Sequence, residues 1–182
     1  MKYKITTLVE NCSYKRSLRG EHGLSLYIET PKHKILFDTG ASDLFIHNAH
    51  ALNIDLKQVN YLILSHGHND HTGGLRDFME LNQTARIVCK KEIFDPKFKD
   101  NRENGIKDTN LLDQSRFLYI NSIIELVPGI FIFPQIKIID SLDIHFDHFY
   151  TQRERKKIPD CFDDELAITL TTVSYTHLTL PT

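Results

Sequence analysis

The feature that most constrains this fold is an apolar run that leads directly into a cluster of histidines. Residues 61–64 (YLIL) come immediately before Ser-His-Gly-His-Asn-Asp-His-Thr-Gly-Gly at 65–74. An apolar run, a glycine-containing loop and a second apolar segment are typical of a strand, a tight turn and the start of a helix. We therefore expect a buried strand that carries this loop to one edge of a sheet.

The loop holds three imidazoles and one carboxylate within six positions: His66, His68, Asp70 and His71. His66 and His68 are two residues apart, so both side chains can project the same way where a strand ends. Asp70 and His71 follow further round the turn. Imidazole suits zinc, iron and similar ions, and a carboxylate adds an oxygen ligand. The sequence predicts a divalent-metal site, with zinc preferred and iron or manganese as alternatives.

Composition limits the class of protein. The chain has 182 residues, 41% of them hydrophobic and 25% charged, which is typical of a soluble domain with a real core. The net charge of −2 gives no reason to expect a nucleic-acid partner. No apolar run approaches the roughly 20 residues that span a membrane. The three cysteines, Cys12, Cys89 and Cys161, are widely spaced, which is typical of reduced thiols and not of a disulfide framework. We expect a cytoplasmic protein acting on a small molecule, and the oligomeric state stays open.

The remaining pattern predicts an antiparallel start followed by alternating strands and helices. The expected strands are 3–9, 23–29, 35–37, 56–64, 85–89, 123–126, 130–133, 136–139 and 166–171, and the expected helices are 43–52 and 75–81. Ser42 is expected to cap the first helix. Residues 94–113 are polar and charged, which is typical of a solvated surface insertion and also of a substrate lid. The basic run 153–157 is expected to be an exposed face.

Asp38 follows a buried strand, so we expect it to have a partner, because an unpaired buried charge is costly. Capping the turn at Thr39-Gly40 is an alternative role. The Asp-Thr-Gly triplet also resembles the motif of aspartic proteases, which need two aspartates at one site. This chain has one such triplet, so that reading requires a dimer and leaves the histidine cluster unexplained. A third hypothesis is a non-catalytic metal-binding module with a closed ligand shell.

Other polar residues are weaker candidates. Glu21 and His22 open the second expected strand and are predicted either to contact substrate at the mouth of the site or to be exposed hairpin residues. The histidines that stand singly among apolar residues are expected to be packed or surface residues. They are His47, His50, His145 and His148.

The histidine cluster and its trailing Thr-Gly-Gly resemble the metallo-beta-lactamase superfamily. Within it, four segments together resemble the metal-dependent hydrolases named for dihydropterin ribofuranosylaminobenzene phosphate synthase. They are LVEN at 8–11, EHGLS at 21–25, LFDTG at 36–40 and the loop at 65–74. The resemblance runs from about residue 2 to residue 171. It implies an α/β fold, the αβ/βα sandwich, with its first half complete and its second half partial in this chain.

The resemblance also implies the chemistry. Members use two divalent metal ions and a metal-bound hydroxide that hydrolyses a phosphoester, ester or lactone. His66 and His68 would bind the first metal, and Asp70 and His71 the second. Asp70 would also orient the nucleophile, and Asp38 would hydrogen-bond a ligand histidine. A methanopterin precursor is one candidate substrate.

The chain departs from the family near its end. The family continues after the 164–167 segment to a Gly-Cys-Ser-His segment and a further C-terminal histidine, and neither is present here. Residues 173–182 instead resemble a translated sequencing adapter, so His177 is a poor ligand candidate. We expect one incomplete domain, residues 1–172, and a non-native, poorly packed tail. We also expect a solvent-exposed ligand cluster, weak metal binding and an inactive, aggregation-prone chain, with activity restored by a homologue's C-terminal segment.

Overall fold

The computed structural model describes residues 2–136, 139, 148–171 and 176–179. Within these residues the chain forms a mixed central sheet with helices on one face and an antiparallel sheet on the other. A smaller antiparallel sheet lies beside them. This arrangement confirms the expected α/β sandwich.

The central sheet positions the histidine loop. In spatial order its described strands are β1 (Lys4–Val9), β2 (Ser25–Glu29), β3 (Lys34–Phe37), β4 (Tyr61–Ile63), β5 (Arg86–Cys89) and β8 (Phe117–Tyr119). The first three pair antiparallel, and β3, β4, β5 and β8 pair parallel. Because the carboxyl ends of parallel strands meet at one edge, Asp38 after β3 and Ser65 after β4 become neighbours.

The helices cover one face of this sheet. They are α1 (Leu44–Ala51), the single turn α2 (Asn69–Thr72) and α3 (Leu75–Leu81). Short 3-10 helices occupy Leu56–Gln58, Lys91–Phe94, Thr109–Leu111 and Gln114–Arg116. Phe45 and Phe78 pack into the core formed with Leu36, Leu62 and Ile87. Each of these five side chains is fully buried.

The opposite face packs on a second sheet. In spatial order it contains β14 (Thr176–Thr179), β13 (Ala167–Thr171), β10 (Ile130–Phe133) and β9 (Ile124–Val127), all antiparallel. Ile35 and Phe37 of β3 face this sheet, whereas Leu36 between them faces the helices. Alternating residues point to opposite faces of a strand, so a strand buried on both sides is apolar throughout. That explains the continuous apolar runs of the central strands.

The polar stretch predicted as an insertion contributes to a third sheet. Its described strands, in spatial order, are β12 (Lys156–Pro159), β11 (Phe149–Arg153), β6 (Lys97–Lys99) and β7 (Arg102–Glu103). The basic run lies at the exposed turn between β11 and β12, as predicted. Lys97 is buried, so this sheet is joined to the body of the domain and is more than a solvated loop.

Several predicted boundaries were wrong for local reasons. Helix α1 begins at Leu44, one residue later than predicted, with Asp43 as its N-cap, and Ser42 Oγ accepts the Leu44 N–H, the hydrogen bond expected of a capping serine. The strand predicted at 56–64 is a 3-10 turn followed by β4, because the Asp55 side chain accepts the Lys57 N–H. In the segment predicted as a strand at 136–139, residues 137 and 138 lie outside the described residues. Ile136 and Ile139 belong to no strand.

The chain's last segment is described only in part. The backbone of Thr176–Thr179 pairs with β13 as β14, while residues 172–175 and 180–182 lie outside the described residues. The division into a domain and a non-native tail stays a prediction. No helix in the described part of the chain is long and apolar enough to cross a membrane.

Candidate functional site

The histidine loop folds onto one point at the edge of the central sheet. His68 has an extended backbone and is the N-cap of α2. Asp70 and His71 lie within this single helical turn. The ring centroids of His66 and His71 are 4.3 Å apart, and those of His66 and His68 are 5.0 Å apart. The structure therefore brings the three predicted imidazoles together.

Asp38 forms hydrogen bonds to the histidine loop from beneath this cluster. It is completely buried and has a left-handed backbone, with φ of 58°. Its Oδ1 accepts the Ser65 N–H at 2.7 Å, and its Oδ2 lies 2.7 Å from both Ser65 Oγ and His71 Nδ1. Both carboxylate oxygens thus have partners. The partner that was expected for this buried side chain is the histidine loop.

These contacts place the protons of two histidine rings. A carboxylate only accepts hydrogen bonds, so Ser65 Oγ–H and His71 Nδ1–H both donate to Asp38. Ser65 has one hydroxyl hydrogen, so its oxygen accepts the Nδ1–H of His66 at 2.9 Å. In neutral rings of His66 and His71 the lone pair is therefore on Nε2, the state in which imidazole binds metals.

The cluster is buried, so the prediction of a solvent-exposed ligand cluster was wrong. His66, His68 and His71 are 5%, 2% and 2% exposed. Phe162 lies 4.9 Å from the His68 ring and 5.7 Å from the His66 ring, and Phe149 lies 5.0 Å from His68, centroid to centroid. The segments that carry these two phenylalanines cover the loop, although nothing in their spacing indicated it.

Burial also favours the neutral form of His66 and His68. Desolvation, followed by the neighbouring His71, His68 and Lys97, lowers the pKa of His66 well below 6.5. Desolvation and Lys97 lower the pKa of His68 to about 4, against the opposing effect of Asp160. Neutral rings keep a lone pair available, which is what a metal ligand needs.

Asp70 lies at the rim of the cluster, where its side chain is a quarter exposed. Its Oδ2 is 3.3 Å from His22 Nε2 and 3.8 Å from His71 Nε2. His22 Nδ1 lies 2.9 Å from Asn11 Oδ1, which fixes the ring in place. The structure thus brings His22 beside the cluster, and its predicted contact with substrate stays a prediction.

Glu21 supports the loop that follows β3. Its Oε1 accepts the backbone N–H groups of Ala41 and Ser42 at 3.0 and 3.2 Å, and its Oε2 accepts the Ser42 hydroxyl at 2.6 Å. Both carboxylate oxygens are engaged in this way. Its proposed contact with substrate is untested.

A buried ion cluster beside His68 was missed by the sequence analysis. Lys97 Nζ lies 2.8 Å from Asp164 Oδ1 and 3.0 Å from Asp160 Oδ2. Burial lowers the pKa of Lys97, but the two carboxylates outweigh it and raise that pKa above 10.5. Lys97 lies in a polar stretch among other lysines, and its partners are more than sixty positions away. No local signal distinguishes it.

This ion cluster also holds the histidine loop. Asp164 Oδ2 accepts the Gly67 N–H at 2.6 Å. A Cβ at position 67 would lie 2.4 Å from the carbonyl oxygen of Ile93. Only glycine fits this close approach, and this accounts for the glycine between the two histidines.

The other histidines lie elsewhere. His47 pairs with Asp43 at 3.3 Å and His148 with Asp100 at 2.9 Å, and both are exposed surface pairs. His50 is exposed. His145 lies outside the described residues, and only the backbone of His177 is described, in β14.

The donors fit a divalent metal by their chemistry. Neutral imidazoles and a carboxylate are the ligands that zinc and similar ions take. His66 and His71 present Nε2 lone pairs within a buried cluster that Asp70 borders. Across the described residues, however, no three His, Cys, Asp or Glu side chains are arranged as they stand to hold one metal ion. The first-metal and second-metal assignments therefore remain proposals.

Comparison with known proteins places this geometry in context. The family model of the metallo-beta-lactamase superfamily matches residues 18–137. The 7,8-dihydropterin-6-methyl-4-(beta-D-ribofuranosyl)-aminobenzene-5'-phosphate synthase of Methanocaldococcus jannaschii is 32% identical over 93% of the chain and 64% of its own length. An uncharacterized protein of the same organism is 33% identical over 57% of the chain and 41% of its own length.

Solved structures agree with the fold. A metal-dependent hydrolase of the beta-lactamase superfamily has a TM-score of 0.74 and 26% identity, over 97% of this chain and 64% of its own. A quorum-quenching N-acyl homoserine lactone lactonase has a TM-score of 0.56 and 20% identity, over 85% and 58%. The chain thus spans less than two thirds of the length of these relatives.

Proposed function

Because the chain belongs to the metallo-beta-lactamase superfamily, we propose that it is the metal-binding part of a metal-dependent hydrolase, with His66, His68, Asp70 and His71 as its ligands. The observation that carries the proposal is the hydrogen-bond network of Asp38 and Ser65. It commits the Nδ1 protons of His66 and His71 and leaves their Nε2 lone pairs as donors.

Each residue has a defined task in this proposal. The imidazoles and Asp70 would hold two divalent ions, with zinc preferred. When bound, such ions act as Lewis acids and lower the pKa of water from about 15.7 toward neutrality. Asp38 and Ser65 hold the ring orientations, and Phe149 and Phe162 limit the access of water to His68 and His66. Asp70, at the exposed rim, orients the nucleophile and faces the incoming substrate.

The proposed substrate is a small molecule with a phosphoester or an ester-like bond. The relative from Methanocaldococcus jannaschii is named for a phosphate-containing pterin compound, which favours a phosphoester or a pterin-precursor-like substrate. The lactonase has only the fold in common with this chain. We propose a cytoplasmic setting, because Cys12, Cys89 and Cys161 are free thiols.

An aspartic-protease mechanism is poorly supported. It requires a carboxylate at Asp38 that can share a proton with a second aspartate and with substrate. Asp38 has no exposed surface, and its two oxygens accept hydrogen bonds from Ser65 and His71. A non-catalytic metal module remains the second hypothesis, and the experiment below separates it from an enzyme.

The test combines metal analysis with a substrate panel. The chain, alone and extended by the C-terminal segment of the M. jannaschii relative, is reconstituted with zinc, iron or manganese, dialysed and analysed for metal. We expect metal in both proteins, bound more weakly by the chain alone, and chelator-sensitive hydrolysis by the extended protein. The panel compares a phosphodiester, a lactone and a thioester. Less than one equivalent of every metal in the extended protein would refute the proposal. Tight metal binding without hydrolysis would favour the non-catalytic module.

Asp38→Asn is expected to keep the fold and to weaken zinc affinity by about 10–100-fold, the usual effect of losing a residue that orients a ligand histidine. The amide keeps the size of the side chain, but only one of its two terminal atoms is an oxygen that can accept hydrogen bonds. Competition with a chromophoric chelator measures the affinity. Asp43→Asn, at the exposed N-cap position of α1, is the matched control. Equal zinc affinity in Asp38→Asn and wild type would reduce Asp38 to a turn-capping role.

A further inference from the structure

The side chain of Glu21 accepts three hydrogen bonds from the 39–42 loop, the short segment that separates Asp38 from α1. Its Oε1 accepts the N–H groups of Ala41 and Ser42 at 3.0 and 3.2 Å, and its Oε2 accepts the Ser42 hydroxyl at 2.6 Å. Gly40 leaves room for this carboxylate, since a Cβ there would lie 2.8 Å from Oε1. The 39–42 loop therefore closes around the Glu21 side chain.

The same loop holds the helical turn α2, which carries Asp70 and His71. The Thr39 N–H and the Thr39 hydroxyl both donate to the His71 carbonyl, at 2.8 and 3.1 Å. The Gly40 carbonyl accepts the Gly73 N–H at 2.9 Å. A Cβ at position 73 would lie 2.2 Å from a carbonyl oxygen of the loop. The backbone of α2 thus packs directly on the loop that Glu21 holds.

The segment that carries Glu21 also contacts α2 directly. The Leu24 N–H donates to the Asp70 carbonyl at 3.3 Å, and the Leu24 carbonyl accepts the Gly40 N–H at 2.9 Å. Gly23, with φ of 143°, approaches so closely that a Cβ there would lie 2.2 Å from the Asp70 carbonyl oxygen. Backbone hydrogen bonds therefore connect three segments, and the Glu21 side chain adds a further link between the first two.

The other half of the histidine loop has a separate anchor. Gly67, which lies between His66 and His68, donates its N–H to Asp164 Oδ2 at 2.6 Å. The hydrogen bonds that the Glu21 carboxylate accepts come from residues 41 and 42. The two halves of the proposed ligand set are thus held from different sides, so one half can loosen while the other stays in place.

We propose that Glu21 is a positioning residue that holds Asp70 and His71 in place through the 39–42 loop, and so supports the second of the two proposed metal ions. The effect on metal binding rests on the proposed function. The effect on the loop and on α2 does not, because it follows from contacts within the chain. This role differs from a contact with substrate, since both carboxylate oxygens already accept hydrogen bonds from the loop.

The experiment compares Glu21→Ala with the conservative variant Glu21→Gln. Alanine removes all three hydrogen bonds. The glutamine amide keeps an oxygen that can accept the two N–H groups, and its nitrogen can donate to the Ser42 hydroxyl. We therefore expect a defect in Glu21→Ala and wild-type behaviour in Glu21→Gln. Glu29→Ala is the matched control, because it removes a partly exposed carboxylate of β2 that pairs with Lys4.

Two measurements are made on each variant. In the metal-free chain, hydrogen exchange followed by NMR should show the Thr39 and Gly73 amides exchanging about tenfold faster in Glu21→Ala, with the Gly67 amide unchanged. Neither of the two amides donates to Glu21, so they report whether its loss reaches α2. In zinc titrations of the same chain, the affinity for the second equivalent should fall about 10–100-fold, with the first unaffected.

The outcomes are separable. Unchanged exchange at Thr39 and Gly73 in Glu21→Ala would overturn the proposal. Equal acceleration at Gly67, which indicates a loss of overall stability, would also overturn it, as would a Glu21→Gln variant as defective as Glu21→Ala. If Glu21→Ala does not fold, Glu21→Asp, whose carboxylate is one methylene shorter, is measured in its place with the same expectations. Selective exchange in a chain that binds no zinc would refute the proposed metal site and still support Glu21 as the residue that holds the loop.

Discussion

Lys97→Met is expected to lower the free energy of unfolding by about 3–5 kcal/mol, the usual cost of removing one partner from a buried ion pair. Lys97 is 3% exposed, and its ammonium group is the cation between Asp160 and Asp164. Methionine has a similar length and fills the same space, so the loss comes mainly from two carboxylates left buried without a cation. Urea unfolding at neutral pH measures it.

The loss of unfolding free energy in Lys97→Met should depend on pH in a defined direction. Burial raises the pKa of Asp164 above 3.8, whereas Lys97 lowers it. Without Lys97 the pKa of the folded state rises further above that of the unfolded chain, so the folded variant binds more protons. The contribution of Asp164 to stability is then greatest below the pKa of the unfolded chain and falls as pH rises through the raised pKa of the folded state. We expect a smaller difference from wild type at about pH 4.5 than at about pH 8.

Lys156→Met is the control for this variant. Lys156 lies in β12 of the same sheet and is exposed, and exposed charges contribute about 0–1 kcal/mol. If Lys97→Met unfolded at the same urea concentration as Lys156→Met, the buried ion cluster would not contribute to stability as described.

His66→Ala is expected to lower zinc affinity by more than about 100-fold, beyond the range expected for a residue that only orients a ligand. The substitution removes a donor nitrogen, and zinc usually takes four ligands. It also leaves Ser65 Oγ without the Nδ1–H that it accepts. Chelator competition gives the affinity, and circular dichroism checks that the fold is retained.

His47→Ala is the matched control for the zinc measurement. His47 is an exposed histidine on α1 that pairs only with Asp43 among the described ion pairs. We expect wild-type affinity in this variant. If His66→Ala bound zinc within about threefold of wild type, His66 would not be a ligand and the proposed site would have to be rebuilt on other residues.

The sequence predicted those parts of the fold that depend on local pattern. The continuous apolar runs of β3 and β4 located two strands of the central sheet, because burial on both faces leaves such a run. The histidine loop was recognised for the same reason, since all its candidate ligands lie within six positions. The pairing of Asp38 with the loop follows from two parallel strands ending at one edge.

Contacts between distant segments could not be predicted. Lys97 looks like any surface lysine in its polar stretch, and only the folded chain shows that Asp160 and Asp164 surround it. The burial of the cluster was missed for the same reason, because Phe149 and Phe162 come from segments far from the loop. Glu21 was expected either to contact substrate at the mouth of the site or to be an exposed hairpin residue, and its hydrogen bonds to Ala41 and Ser42 depend on a turn with no distinctive sequence.

The hydrogen bond from Gly67 to Asp164 has a consequence for the order of folding. It joins residues 97 positions apart, so the chain must close a long loop before the contact forms, and long-range contacts slow folding. The central strands and α3 can assemble from nearer segments. The histidine loop would then acquire its final shape only when the segment before β13 docks. Any metal that requires the finished loop would bind after this last step and would hold the histidine loop and the segment before β13 together.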